Sequence, residues 1–408
     1  MKASDYFSGR RRAITIGLAL AATLSTLTAG PTHAQGARPP FIVGFTDVLS
    51  GPNAGLGTPV MNGAKAYFDS VNARGGVHGR RIELRVIDSQ ADATRVVSAM
   101  QDLAGAGALA IMGLTISGNA EAAAPIANRL KVPVYSGGLS AKLLNPFQPY
   151  IFSSDITIAS EGQMQIDFIR KQLFPNKADL KVAIYINQTA GTIAYAEIMK
   201  ELLKQQQPGW RVVAEEVVPL TITDAGVPVA KMLSAQPDVV IMGGIDPVAL
   251  LAVRAMMGQN SKVPVVNFHA GNAERTMLSL NYPGYYVIRQ FPTTQDANPG
   301  KGFADMIAAM RAAGLYEGLL TSYNAITGYT TAVQITAILN KCGPDCNAEA
   351  MQKATLAIGQ IDTGGITFRP TSFSPSRHQG IDTARFYRAN NGKLEAVGDS
   401  YSATYGKP

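Results

Sequence analysis

Cysteine and histidine are scarce in this chain, and their scarcity removes whole classes of chemistry. Cysteine occurs twice and histidine four times in 408 residues. Cys342 and Cys346, in Cys342-Gly343-Pro344-Asp345-Cys346, cannot build a four-ligand zinc site, and no histidine stands near them in sequence. Beyond the first 34 residues only His78, His269 and His378 remain, too scattered to suggest a metal cluster. Neither a metal nor a cofactor is therefore expected. Also missing are a Gly-x-x-x-x-Gly-Lys-Ser/Thr phosphate loop, a His-Glu-x-x-His pair and a Gly-x-Ser-x-Gly nucleophile elbow. Gly105-Ala106-Gly107-Ala108-Leu109-Ala110 imitates a dinucleotide fingerprint, but it precedes a strand where the fingerprint must follow one. These absences point away from an enzyme.

Charge is sparse as well. Apolar residues make up 46% of the chain and charged residues 16%, the balance of a compact globular protein. No dense Lys/Arg run with interleaved aromatics occurs, so no nucleic acid is expected as a partner. Much of the basic character sits at the start. Lys2, Arg10, Arg11 and Arg12 precede a charge-free apolar run over 13–29, and Thr32-His33-Ala34 offers small residues for cleavage, the order of a secretory signal over 1–34. An uncleaved anchor is the alternative, but the run is threonine-rich and short for a span of roughly 20 residues. Removing 1–34 takes Lys plus Arg from 36 to 32 and Asp plus Glu from 29 to 28, so the net charge falls from +7 to +4. No later stretch is long and apolar enough to cross a bilayer, which places the mature protein outside the cytoplasm. In that setting Cys342 and Cys346 favour a disulfide closing a tight loop after a helix. A redox-active pair is the alternative, disfavoured because the spacing is not Cys-x-x-Cys.

The chain is too long for one ordinary core. Apolar strands alternate with amphipathic helices in two runs, one over 41–158 and one from about 158 to 291. In the second, Asp238-Val239-Val240-Ile241-Met242-Gly243-Gly244 is a strand entering a glycine turn, with Asp246 just beyond. Helices follow near 302–313, 321–339 and 348–358, then short strands near 365–368 and 384–389 and an Asn390-Asn391-Gly392 hairpin turn. Pro125, inside a helical pattern, predicts an irregularity there. The reading is α/β, with two Rossmann-like lobes, each a sheet covered on both faces.

The organising stretch is 109–140. A buried strand, Leu109-Ala110-Ile111-Met112, leads through Gly113-Leu114-Thr115-Ile116-Ser117 into an alanine-rich helix. A second strand, Val132-Pro133-Val134-Tyr135, ends in Ser136-Gly137-Gly138-Leu139-Ser140. In parallel sheets ligands bind beyond the carboxyl ends of the strands, where both polar turns lie. Ser117 stands where a helix begins, so its hydroxyl and the following N–H groups can face an anion together. Either serine alone reads as a cap or turn residue; the pair, at matching strand ends, reads as a binding site.

Ser50-Gly51-Pro52, Gly57, Asn62-Gly63-Ala64, Asn72-Ala73-Arg74-Gly75-Gly76-Val77-His78-Gly79-Arg80, Glu83 and Asp88-Ser89-Gln90 resemble the opening of exported solute-binding proteins of branched-chain amino-acid ABC transporters. Residues 113–125 followed by Val132-Pro133-Val134 extend the resemblance, which is strongest over 41–158. It implies a type I periplasmic-binding fold: two lobes joined by three crossing strands, closing on a ligand in the cleft. The boundaries it suggests are 41–156 plus 292–365 for lobe 1 and 157–291 plus 366–408 for lobe 2. It also implies that Ser117, Gly138 and Ser140 hold the ligand's carboxylate and ammonium. Aromatic residues usually stand where this chain has Leu56 and near Gly191 and Thr192, and the second-lobe acid falls near His269. The first half of the site is kept and the second departs. Asp246 is the acid that the strand pattern places in the cleft, and a solvated turn residue before Pro247 is the equal alternative.

The resulting expectation is a monomeric periplasmic receptor that captures a small carboxylate-bearing solute, an amino acid or related acid, and delivers it to ABC transporter permease subunits. An aromatic or short aliphatic carboxylate is the alternative ligand. An exported sensor subunit and an α/β hydrolase are alternatives of other classes. A cytoplasmic sugar-type repressor is opposed by the export signal.

Overall fold

The structure is a computed structural model that describes residues 38–138 and 140–403. The expected secretory signal over 1–34 lies outside the described residues, as does Leu139 of the second polar turn. The elements run β1 (Phe41–Asp47), α1 (Ala54–Ala73), β2 (Ile82–Asp88), α2 (Ala93–Gly105), β3 (Ala110–Gly113), α3 (Ser117–Leu130), β4 (Val134–Ser136) and β5 (Ile151–Ser153). Next come α4 (Ile158–Phe168), β6 (Lys181–Asn187), α5 (Ala190–Gln206), β7 (Arg211–Val218), α6 (Gly226–Ser234), β8 (Val239–Gly243), α7 (Asp246–Gly258), β9 (Val265–Asn267), α8 (Glu274–Leu280) and β10 (Tyr285–Arg289). The chain finishes with α9 (Lys301–Ala312), α10 (Glu317–Leu320), α11 (Tyr323–Cys342), α12 (Ala348–Leu356), β11 (Gly359–Ile361), β12 (Thr371–Phe373), β13 (Thr383–Asn390) and β14 (Lys393–Ser402).

Two sheets carry the architecture. The first has the order β2-β1-β3-β4-β5 and is parallel throughout. Successive side chains of a strand face opposite ways, so each strand serves two cores. Met112 packs with Phe45, Val60, Phe68, Ile335 and Leu339 beneath α1 and α11. Its neighbour Ile111 packs with Val96, Met100, Leu103, Ala123 and Ala127 beneath α2 and α3. The helices α1 and α11 approach so closely that a Cβ on Gly63 would lie 2.0 Å from the Ala325 carbonyl oxygen.

The second sheet has the order β14-β13-β10-β9-β8-β6-β7, parallel from β7 to β10 and antiparallel at β13 and β14. Ile184, Ile241, Val266 and Ile288 face the α4–α5 side, whereas Ala183, Val240, Val265 and Val287 face α6 and α7. The connection after β5 leads from the first sheet to the second, and the one after β10 leads back to α9–α12, of which α11 lies on α1. The third follows β12, whose Phe373 packs in the first lobe's core, and enters β13 of the second sheet. The first and third connections are bonded together: Ser153 N–H donates to the His378 carbonyl and Gly380 N–H to the Ser153 carbonyl, both at 2.8 Å. Buried Arg289 braces the second by donating to the carbonyls of Asn272, Phe291 and Pro292 and to the Glu274 carboxylate. This is the two-lobed type I periplasmic-binding architecture.

Two local expectations are corrected. Residues 365–368 are not a strand, because Gly364 and Gly365 take φ values of 63° and 89°; the short ribbon is β11 with β12 instead. The helix α3 runs unbroken through Pro125, which is exposed, so water can meet the carbonyl left without its helical partner. The Asn390-Asn391-Gly392 hairpin forms as expected, with Asn391 and Gly392 both at positive φ. A disulfide joins Cys342, the last residue of α11, to Cys346.

Candidate functional site

The carboxyl ends of β5 and β10 run directly into the inter-lobe connections, so the polar turns at the carboxyl edges of both sheets lie at the junction. In the first lobe those turns are built by buried polar braces. Asp47, at the end of β1, accepts from Val48 N–H (2.9 Å), Thr115 N–H (3.1 Å) and the Thr115 hydroxyl (2.9 Å). Burial pushes the Asp47 carboxyl up to about 6, against the pull of those bonds. Gly113 has φ +103°, and a Cβ there would lie 2.6 Å from the Thr46 carbonyl oxygen, so only glycine fits. Leu114 follows at φ 54°, a left-handed conformation held in a buried side chain's place.

This turn delivers Ser117 to the first position of α3. Ile116 is the N-cap and makes no side-chain capping bond, so Ser117 is a first-turn residue rather than the cap. On the neighbouring turn, Gly138 N–H donates to Ser136 Oγ (2.8 Å), and Ser136 Oγ in turn donates to the Leu114 carbonyl (3.2 Å), locking the two turns together. Ser140 donates to Glu121 Oε1 at 2.6 Å. Glu121 is one helical turn beyond Ser117, on the same face. Sequence reasoning missed it, although the i, i+4 spacing from Ser117 was available. Asp88 fixes the turn before α1 by accepting from Leu49 N–H (2.8 Å) and the Ser50 hydroxyl (2.5 Å). Leu56, in the first turn of α1, remains 41% exposed, an apolar side chain left in water.

The second lobe is organised by two buried asparagines. Asn187 accepts from Ile245 N–H, and Asn267 accepts from the N–H groups of Gly244 and Phe268 while donating to the Gly244 carbonyl. Thr192 forms a capping box with Thr189 and donates to the Asn187 carbonyl, so its hydroxyl closes the start of α5 and the side chain is buried. Asp246 begins α7 and accepts from Ala273 N–H at 3.2 Å. Burial pushes its carboxyl up to about 6, opposed by the Thr276 hydroxyl, Ala273 and Arg289. The structure thus ties Asp246 to the α7–α8 junction.

His269 sits in the middle of a cluster that the sequence did not reveal. Its backbone N–H donates to Glu161 Oε1 (2.6 Å), and its Nδ1 lies 2.7 Å from Glu161 Oε2. Its ring packs against those of Phe268 (4.8 Å between centroids) and Tyr323 (4.7 Å). Behind it Asp155 accepts from Ile156 N–H (2.7 Å) and from the hydroxyls of Tyr323 and Thr327. Glu161 and Asp155 are both completely enclosed. Burial alone would push His269 down; the Glu161 carboxylate and then Asp155 outweigh it and raise it, favouring the imidazolium. Burial, followed by the nearby Asp155, raises Tyr323 well above the ordinary range. Among the described residues no group of His, Cys, Asp and Glu could hold a metal ion, and no helix is long and apolar enough to cross a membrane.

The family profile described as periplasmic binding protein matches residues 40–393, and the chain belongs to that family. It is similar to the Leu/Ile/Val-binding protein BraC3 of Rhizobium johnstonii, 22% identical over 385 residues that span 91% of this chain and 98% of that protein. Its fold matches that of a branched-chain amino acid ABC transporter protein from Thermus thermophilus with bound valine. The TM-score is 0.80 at 15% identity, covering 91% and 98% of the two chains. It also matches a fatty acid ABC transporter substrate-binding protein from Thermomonospora curvata, with a TM-score of 0.71 at 18% identity over 91% and 95%.

Proposed function

We propose that this protein is the periplasmic solute-binding component of an ABC importer, exported through the 1–34 signal, and that it captures a small carboxylate-bearing solute between its lobes for delivery to the permease subunits. What supports this reading is the first-lobe pair of braced turns: Ser136 joins the Leu114 carbonyl to Gly138 N–H, and Ser140 bonds Glu121, one helical turn beyond Ser117 at the start of α3. The first-turn N–H groups of a 14-residue helix carry partial positive charge and face an anion well. Membership of the periplasmic binding protein family and the Leu/Ile/Val-binding relative support an amino acid or related acid. The exposed Leu56 side chain supports a ligand with an apolar body. The Thermomonospora curvata protein, whose name gives fatty acid, favours a second reading in which the acid carries no ammonium.

Calorimetry with leucine, valine, benzoate and hexanoate tests the proposal. At least one should bind, and Ser117→Ala should weaken every carboxylate that does by roughly 1.5–3 kcal/mol, the worth of a hydrogen bond to a charged group. Asp246→Asn, which alters the carboxylate that accepts from Ala273 N–H in the second lobe, should matter only for the ammonium-bearing ligands. Full affinity in Ser117→Ala would overturn the site.

A further inference from the structure

The Glu161–His269 pair is the most elaborately supported group in the second lobe, and nothing in the carboxylate-binding reading uses it. A single carboxylate grips both the backbone N–H and Nδ1 of His269, and two aromatic rings fix the imidazole plane. The side chain is 8% exposed, and among the described residues its Nε2 has no hydrogen-bond partner. Nδ1 faces α4, so Nε2 points away from Glu161, beside the Tyr323 ring that begins α11 of the other lobe.

The acids around it are not available to a solute. Glu161 and Asp155 are wholly enclosed, and the Asp155 carboxylate is bonded to Ile156, Tyr323 and Thr327. Asp246 is bonded to the α7–α8 junction. An ammonium brought to His269 would meet an N–H donor, with the adjoining Glu161 and Asp155 carboxylates enclosed and already bonded, an arrangement that leaves a buried charge unpaired.

We propose that His269 is the second lobe's ligand-reading residue, that its Nε2–H donates to a ligand oxygen, and that the cleft thereby prefers carboxylic acids with a carbonyl, hydroxyl or second carboxylate oxygen over their α-ammonium counterparts. This rests on the carboxylate-binding reading above. Glu161 on α4, Asp155 on the first connection and Tyr323 on α11 are the titratable groups against His269, and the two acids favour its charged, donating form.

The test uses a matched pair, leucine and 4-methyl-2-oxopentanoate, titrated calorimetrically against the mature protein between pH 6 and 9. The oxo acid should bind at least tenfold tighter than leucine, and its affinity should fall as pH rises through the His269 titration. His269→Gln should abolish that pH dependence and weaken the oxo acid at least tenfold. Glu161→Gln, which keeps a hydrogen-bonding oxygen but removes the charge, should move the midpoint to lower pH, a response that a purely structural histidine would not give. Thermal unfolding of each variant confirms folding. Leucine binding as tightly as the oxo acid, or a pH profile unchanged in His269→Gln, would overturn the inference, and Glu121→Gln would then test the first lobe as the ammonium's partner. If neither compound binds, the inference falls; the wider carboxylate panel then decides whether the solute-binding reading falls with it.

Discussion

The two halves of the junction are built by different means. In the first lobe the turns are tied by short-range bonds: Gly138 N–H donates to Ser136 two residues away, and Ser140 donates to the Glu121 carboxylate nineteen away. At the second-lobe half, charge gathers over long range and partly from outside that lobe: Glu161 meets His269 across 108 residues, and Asp155 on the first connection meets Tyr323 on the other lobe's α11 across 168. The first half sets the start of α3 beside a hydroxyl–carboxylate pair. The second is a buried ionic network with one reachable heteroatom. Partners that hold a charged group rigid at the cost of burying acids are more informative about function than exposed ion pairs such as Lys65–Asp69.

The strongest way to break this contrast is to remove the buried carboxylate. Glu161→Leu strips His269 of both bonds and leaves an imidazole enclosed without a partner. Breaking a buried pair on one side costs about 3–5 kcal/mol, to be read from denaturant unfolding. A loss below about 1 kcal/mol would reduce the pair to the standing of a surface contact.

A smaller effect sharpens the electrostatic side. His269 is raised on folding, so the stability it contributes is complete below its unfolded value near 6.5 and is lost as pH rises through the higher folded value. Asp47, raised from 3.8 to about 6, has the same sign: its contribution is lost as pH climbs from about 4 through 6. Unfolding free energy should therefore be greater at pH 6 than at pH 8.5. His269→Gln should flatten the part of that slope above pH 6.5. A wild-type curve that rises over this range would contradict the charge assignment.

The same contrast explains what the sequence disclosed. Alternating strands and helices, the 390–392 hairpin and the two polar turns are short-range signals, and all were readable. Ser117 was placed at the right helix, one position inside its cap. Glu121 was legible in principle, as the i+4 neighbour of Ser117. Thr192 was a ligand-binding position through the resemblance alone, and its place near a helix start did not reveal that its hydroxyl donates to the Asn187 carbonyl. Glu161, Asp155 and Tyr323 carried no local signal. Their roles follow from tertiary contacts between a connection, α4 and α11, which no spacing rule encodes.

If the half-sites belong to one ligand, binding must draw the lobes together, since closure is stabilised only by contacts made to both at once. Small-angle scattering of the mature protein, with and without saturating 4-methyl-2-oxopentanoate, measures this directly. The account predicts a smaller radius of gyration with ligand in the wild type and a weaker change in both Ser117→Ala and His269→Gln at the same concentration. Identical scattering curves from a protein that calorimetry shows to be saturated would contradict it.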